Sequence, residues 1–311
     1  MIRQKNLYMA NFNCTFGDSY SPMLDYFEAI VWPAFTSGYE KETTRKNKYF
    51  FKNVNIIEVE KEKYAISGVI VKQTMLEIKS LVDPDTKNII IKDDRIPSDP
   101  FSYFIIFLEN HRMVLVKNQS GSPTLKDFES LAKYTLKKAE LANNYEKAIN
   151  INLNVGSIPS SSKIEEQIAR INYITDVTLK LYPLNGDIDN IYGGLREELK
   201  ALGCDEGYTT YKRPKNLSEV EDILKQGKGI YNIKVRGKGI NGEKVTITDN
   251  NTASVLPVDI NEDENINQNI DRILTSIDDR EELREISEEN RLKYIEKLPI
   301  IKYIANKIIK K

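Results

Sequence analysis

Residues 103–116, YFIIFLENHRMVLV, hold two apolar runs on either side of a short polar segment. The runs, Tyr103–Leu108 and Met113–Val116, have the length and the aromatic and β-branched content of buried strands. The residues Glu109–Arg112 between them are typical of a hairpin turn. This stretch therefore predicts an antiparallel hairpin and, with it, an antiparallel sheet in the first half of the chain.

Further strands and two helices are predicted around this hairpin. A first helix carries its apolar residues on one face, has Pro22 in its first turn and is expected to end at Pro33. A second helix, Leu125 to Lys147, follows a capping box formed by Thr124 and Asp127. The other strand candidates are Leu7–Phe12, Tyr49–Val59, Tyr64–Ile78 and Asn88–Ile91. Together they predict an α+β fold, a mostly antiparallel sheet with packed helices.

The second half predicts a smaller mixed α/β unit and a helical C-terminus. Residues 149–155 alternate strictly between apolar and Asn, as a half-buried strand does. Helices then alternate with strands at Val177–Leu181 and Tyr208–Lys212, and a hairpin follows at Ile230–Thr248. From Glu264 onward the chain is charged and helical in pattern.

Three parts are predicted: residues 1–155, 163–260 and 264–311. All ten Phe and the single Trp precede residue 150, so the two halves have different core residues. The Gly/Pro/Ser-rich segment 156–162 is typical of a linker between them.

Composition excludes several classes of chemistry. Lys and Arg number 45 and Asp and Glu 46, which is unlike a uniformly basic nucleic-acid coat. A single His and two Cys are too few for a zinc site made only of His and Cys. Cys14 and Cys204 are far apart and form no CxxC motif. No cofactor is predicted.

The expected location is the cytoplasm. Residues 1–16 lack the apolar run of a secretory signal, and no run of about 18 apolar residues is present to span a membrane. Two cysteines without an evident partner fit a reducing compartment.

The near-neutral total charge conceals a basic segment from Lys212 to Gly239, with eight bases and three acids. Tyr208, Tyr211 and Tyr231 are interleaved with these bases, and tyrosine rings stack on nucleic-acid bases. An ordinary solvated sheet face is the alternative interpretation. The residues predicted to bind DNA, RNA or another polyanion are Lys212, Arg213, Lys215, Lys228, Tyr231, Lys234, Arg236 and Lys238.

The same region contains a GxGxxG pattern at Gly237, Gly239 and Gly242. A dinucleotide-binding loop of this pattern leads into a helix, whereas here the apolar alternation of a strand follows. We therefore predict a hairpin turn, with Asn241-Gly242 supplying the positive φ.

The C-terminal region reverses charge twice. Asp259–Glu289 holds twelve acids and three bases, and Arg291–Lys311 holds seven bases and one acid. Both have apolar residues at helical spacing, so they either pack on their own chain or form a scaffold that docks a partner protein or a second copy. Resting on an anionic membrane surface is a further alternative for the basic segment.

The sequence offers one catalytic hypothesis and one candidate residue that we set aside. Glu77 and Lys79 on one strand, with Asp93 or Asp94, have the residue types of a Mg²⁺-dependent nuclease. In a catalytic triad, His111 would need a nucleophile and an orienting carboxylate, and no spacing in the sequence points to such partners. We therefore interpret it as a turn residue without a catalytic role.

The layout resembles that of a loose set of uncharacterised bacterial proteins encoded among phage-defence genes. The residues that carry this resemblance are Asn6-Leu7-Tyr8, the stretch from Phe104 to His111-Arg112-Met113, the helix start Ser122-Pro123-Thr124 and the β-α unit at Leu179–Leu202. The resemblance implies a role in anti-phage defence and brings no catalytic motif with it. The leading prediction is a binding protein rather than an enzyme.

Overall fold

The computed structural model of the chain describes residues 1–187 and 192–309. Its strands are β1 (Ile2–Phe16), β2 (Ser21–Pro22), β3 (Lys41–Glu42), β4 (Lys48–Glu60), β5 (Lys63–Val82), β6 (Ile89–Ser98), β7 (Phe101–Phe107), β8 (Arg112–Lys117), β9 (Ile151–Ser157), β10 (Tyr173–Leu181), β11 (Gly207–Lys212), β12 (Asn232–Lys238), β13 (Lys244–Thr248) and β14 (Val255–Asn261). Its α-helices are α1 (Trp32–Thr36), α2 (Leu125–Ala142), α3 (Ser161–Ala169), α4 (Gly193–Ala201), α5 (Leu217–Gln226), α6 (Asp249–Thr252), α7 (Ile266–Ile277), α8 (Glu281–Arg284) and α9 (Glu288–Ile309).

A large antiparallel sheet has the strand order β14-β1-β8-β7-β5-β4-β3. Strands β2 and β9 also pair with β1, and β6 pairs with β5. The predicted hairpin is present as β7 and β8, with Tyr103 opposite Val116 and Ile105 opposite Val114. The predicted class, α+β with a second small sheet and C-terminal helices, is confirmed.

Phenylalanine rings fill the space between one face of the large sheet and helices α1 and α2. Phe128 of α2 lies 5.1 Å from Phe104 and 5.4 Å from Phe51, measured between ring centroids. Offset and edge-on pairs at these distances stabilise a core beyond the area they bury. The predicted capping box of Thr124 and Asp127 starts α2, which ends at Ala142 rather than Lys147.

The segment before α1 departs from the predicted single helix. A 3-10 turn covers Met23–Tyr26 and a π turn covers Phe27–Val31, and Pro33 lies in the first turn of α1 instead of ending a helix. Proline is tolerated in a first turn because its missing N–H would have no partner there.

The C-terminal helices pack on the large sheet from both sides. Ile270 and Ile273 of α7 are buried against Leu7 and Val116 on the face away from the phenylalanines. In α9, Tyr294, Ile301 and Ile304 join the phenylalanine core instead. The helix continues through Pro299. Lys310 and Lys311 of the basic tail lie outside the described residues.

A second sheet has the order β11-β10-β12-β13 and is antiparallel throughout. Helices α3 and α5 cover one face, where Ile164, Ile168, Val220 and Leu224 are buried with the inward residues of the strands. Strand β14 follows this sheet in the chain but pairs with β1, so the large sheet draws residues from both halves. The division into residues 1–155, 163–260 and 264–311 stays a prediction.

Two glycines bring the large sheet into backbone contact with the turn that precedes β12. A Cβ atom built on Gly156 in β9 would lie 2.4 Å from the carbonyl oxygen of Gly229. Gly229 has a φ of +76°, and a Cβ built there would lie 2.5 Å from the carbonyl oxygen of Gly156. Only glycine permits this approach, because the atoms that would clash belong to two backbones.

Replacing Gly156 should therefore destabilise the protein strongly. We expect Gly156→Ala to lower the free energy of unfolding by about 2–4 kcal/mol, since the two backbones must move apart. Gly194→Ala is the matched control: the site in α4 is open, and alanine is the better helix former. Urea unfolding of both variants measures this, and equal midpoints would contradict the proposed contact.

Candidate nucleic-acid interface

The outer face of the small sheet, opposite α3 and α5, collects bases from strand alternation. In β12, Ile233 and Val235 are buried, whereas Lys234, Arg236 and Lys238 are exposed. Successive side chains of a strand point to opposite faces. The basic residues of β12 therefore point away from the helices, as the sequence predicted.

Cross-strand pairing adds further residues to this face. Lys234 lies between Thr178 of β10 and Thr248 of β13, and Lys238 lies opposite Lys244. Lys212 of β11 shares the face because it lies opposite Asp176. Among the described strand residues, the outer face thus has one acid, Asp176, and six bases, which are Lys180, Lys212, Lys234, Arg236, Lys238 and Lys244.

Two tyrosines lie on the rim of the outer face. Tyr208 lies opposite Lys180 and is 63% exposed, and Tyr173 lies opposite Lys238 and is 43% exposed. Tyr173 was not among the predicted residues. Strict alternation would place Tyr173 on the inner face with Val177 and Leu179. The irregularity in the ladder between Ile174 and Asp176 places it on the outer face instead, and nothing in the sequence signals this irregularity.

Tyr231 and Tyr211 do not belong to the outer face. Tyr231 is 2% exposed in the core beneath the sheet, and its hydroxyl donates to the carbonyl oxygen of Ile223 at 2.7 Å. Tyr211 lies opposite Val177, on the helix side. Neither ring can stack on a nucleic-acid base at the outer face. The structure therefore does not bring these two tyrosines together with the basic residues.

The bases of the outer face differ in their ion pairing. Arg236 Nε lies 2.9 Å from Asp176, and Lys180 Nζ lies 2.5 Å from Glu206, which lowers the pKa of Glu206. Lys212, Lys234, Lys238 and Lys244 form no ion pair within 4.0 Å in residues 1–187 and 192–309.

The remaining predicted residues lie away from the strands. Arg213, with a φ of +51°, and Lys215 are exposed in the loop after β11, next to Lys212. Lys228 lies elsewhere, where its Nζ donates to both carboxylate oxygens of Glu285 at 2.7 and 2.8 Å. The loop residues extend the outer face, whereas Lys228 belongs to the contact with the C-terminal region.

The residues of the nuclease hypothesis lie on a hairpin formed by β5 and β6. Glu77 lies 3.3 Å from Arg95 and 3.8 Å from Lys79, all on one face. Asp94 lies opposite Ile78 and therefore points to the other face. Asp93 precedes Asp94 in β6 and lies where the ladder with β5 is irregular, beyond the Ile78–Asp94 pair. Within the described part of the chain, no three His, Cys, Asp or Glu side chains are grouped as a metal site requires.

A buried polar cluster lies where β1 and β8 meet the chain between the two sheets. Asn11 donates to Asp187 at 2.7 Å, and Arg112 donates to the carbonyl oxygen of Lys228 at 3.0 Å. Burial raises the pKa of Asp187. His111, expected in an ordinary turn, is 1% exposed with a φ of +58°, and neither ring nitrogen has a hydrogen-bond partner among the described residues.

Burial and the neighbouring Arg112 lower the pKa of His111 to about 3. The imidazole is therefore neutral in the folded protein at any ordinary pH. The structure places His111 directly after the turn between β7 and β8, with its side chain buried. That it has no catalytic role stays a prediction.

Fold and site together define an α+β protein with an open, basic, tyrosine-rimmed sheet face. The chain belongs to the family described as Domain of unknown function (DUF4747), whose model matches residues 5–278. That range includes both sheets and α7 and stops before α8. No curated protein and no solved structure matches the chain.

A helix that crosses a membrane needs about 20 consecutive, mostly apolar residues. In residues 1–187 and 192–309, no helix is both long and apolar enough to do so.

The neutral His111 should make stability depend on pH. Its pKa is about 3 when folded and about 6.5 when unfolded, so only the unfolded chain takes up this proton between those values. Stability is then lost as the pH falls through 6.5 toward 3, by about 2 kcal/mol between pH 7 and pH 5.

His111→Asn isolates this contribution, since asparagine tolerates the positive φ. Asp249 has a pKa raised to about 6 by burial and changes stability in the opposite direction, so the comparison is between the two proteins at each pH. Urea unfolding from pH 7 to 5 should show a smaller loss in the variant; parallel curves would mean that His111 is solvated.

Proposed function

We propose that this protein binds single-stranded nucleic acid across the outer face of the small sheet. The observation that carries the proposal is the union of four unpaired lysines and two exposed tyrosines on one open antiparallel sheet of the described chain. Lysines attract phosphates, and aromatic rings on a sheet stack with unpaired bases. Another extended polyanion would satisfy the lysines but not the rings.

The shape of the face favours a single strand over a duplex. Four strands span about 14 Å, which is wider than the major groove of about 12 Å. The tyrosine rings need bases that are not already stacked in a helix. The basic residues on the sheet are mostly lysines, which act as point charges rather than bidentate readers of guanine, so the proposed binding tolerates different sequences.

The biological setting is part of the same proposal. The resemblance of the layout to proteins encoded among phage-defence genes supports a role in bacterial anti-phage defence, with the cytoplasm as the compartment. Binding of phage or host single strands would place the sheet face at the centre of that role.

The two alternatives differ in what supports them. The nuclease hypothesis needs Glu77, Lys79 and an acid in one cluster. Asp94 points away from the other two, and Asp93 belongs to no group of three acidic, His or Cys side chains in the described chain.

The scaffold hypothesis needs the apolar stripes of the C-terminal helices free for a partner. Part of that surface is buried within the chain, including Ile273 and Ile301, whereas Leu292, Ile295 and Tyr303 of α9 are exposed. These exposed side chains support the scaffold hypothesis. Both stay predictions.

Removing two unpaired lysines tests the electrostatic part. We expect Lys212→Ala with Lys234→Ala to weaken binding of a single-stranded oligonucleotide about tenfold or more. The slope of log K against log salt should fall by about 1.4, since each lost phosphate contact removes about 0.7. Fluorescence anisotropy over a salt series measures both quantities.

The matched control changes two exposed lysines of α2, Lys126→Ala with Lys138→Ala, on the large sheet. Its total charge equals that of the test variant. If the two variants lose affinity equally, binding follows overall charge and the sheet face is not the site.

The exposed ring tests the stacking part. Tyr208→Ala should weaken binding by about 5- to 150-fold, the range for loss of one stacked base. Tyr208→Phe keeps the ring and loses only the hydroxyl bond to Glu206, so its affinity should stay close to that of the unchanged protein. Equal losses in both variants would argue against stacking.

A further inference from the structure

Strand β5 extends far beyond the large sheet. Its residues up to Gln73 pair with β4, and those up to Val71 pair with β7. From Thr74 to Val82 its only strand partner in the described chain is β6. Residues 74–98 therefore form a two-stranded arm, about 30 Å long at the usual rise of a strand.

The arm has one largely apolar face. The pairing places Leu76 with Ile96, Ile78 with Asp94, Ser80 with Ile91, and Val82 with Ile89 on that face, where Asp94 is the charged side chain of these pairs. Ile91 is 88% exposed and Ile89 is 73% exposed. The opposite face carries the ion-paired Glu77, Lys79 and Arg95, with Met75, Leu81 and Ile90 beside them. The more apolar side of the arm is thus in solvent.

Such an arm needs a partner on physical grounds. A lone two-stranded hairpin is at best marginally stable in water. An exposed apolar patch of several hundred Å² marks an interaction surface in a soluble protein, and unpaired strand edges add to the hazard of leaving it open.

Charge separates the two ends of the arm. The turn at its tip, Asp83–Asn88, contains Asp83 and Asp85 against Lys87. Asp83 accepts the backbone N–H groups of Asp85 and Thr86, both at 2.9 Å, which holds its pKa below the usual range.

The end of the arm next to the large sheet is positively charged. The loop 43–48 contains Arg45, Lys46 and Lys48 and no acid. It adjoins this end of the arm directly, since Lys48 lies opposite Gln73 and Thr74 Oγ1 bonds Asn47 Oδ1 at 2.6 Å. Two arms packed antiparallel about a two-fold axis would place the acidic tip of each arm against the positively charged loop 43–48 of the other.

We propose that the arm is a dimerisation element, with its apolar face covered by the same face of a second copy of this chain. The exposed Leu76, Ile89, Ile91 and Ile96 of two copies would supply the apolar centre that a specific protein interface needs. A membrane is a poorer occupant, because Asp83 and Asp85 lead the arm and would enter the bilayer first.

Sedimentation equilibrium of the full chain tests the proposal across the micromolar range. The unchanged protein should be a dimer. Ile91→Lys should raise the dimer dissociation constant at least about a hundredfold, because each dimer loses two buried side chains. Ile240→Lys is the control, a similarly exposed isoleucine in the β12–β13 turn, 84% exposed and outside the arm.

Charge exchange identifies the occupant as a second copy. Asp83→Lys with Asp85→Lys should weaken the dimer, and so should Arg45→Glu with Lys46→Glu. A chain that carries all four changes should dimerise again, since each tip again meets the opposite charge.

Three outcomes would overturn the proposal. One is a monomer at every concentration, and another is a dimer that Ile91→Lys leaves unchanged. The third is a monomer that binds vesicles of anionic lipid through Ile91, which would make a lipid surface the occupant.

Discussion

Backbone hydrogen bonding along β1 is the interaction on which the rest of the structure depends. The strand pairs with β14 through residues 2–8 and with β9 through residues 10–16, while β8 lies along its other edge. Nearly every residue of β1 therefore holds one other element in place. The phenylalanine core, α7 and the position of the small sheet all follow from these ladders.

The same strand shows why the sequence predicts fold class better than the arrangement of its parts. Asn11, Asn13 and Thr15 alternate with Phe12, Cys14 and Phe16, which predicts a strand with one polar face in solvent. Both faces are buried instead. Asn13 Oδ1 accepts the backbone N–H of Asn185 at 2.6 Å, and Asn13 Nδ2 donates to the carbonyl oxygen of Pro183 at 2.8 Å. Such long-range partners leave no trace in local periodicity.

The candidate site was predictable in part for the same reason. The alternation of residues along β12 is enough to assign Lys234, Arg236 and Lys238 to one face. The same alternation assigns Tyr231 to the side of the buried Ile233 and Val235, so its burial was predictable as well. Lys180 and Lys244 join the face only through strand order, which the sequence does not determine. Whether a lysine is exposed can be predicted from the local sequence, whereas its neighbours on adjacent strands depend on the order of the strands in the sheet.

The pairing of β1 with β14 has a consequence for how the chain folds. Ile2 pairs with Asn261, so residues 2–8 of that edge of β1 have no partner until residues 255–261 have left the ribosome. Contacts of such high sequence separation form late, because loop-closure entropy opposes them. A nascent chain of about 250 residues would expose an unsatisfied strand edge, which attracts other chains and favours aggregation. Slow synthesis or truncation before β14 would prolong that exposure.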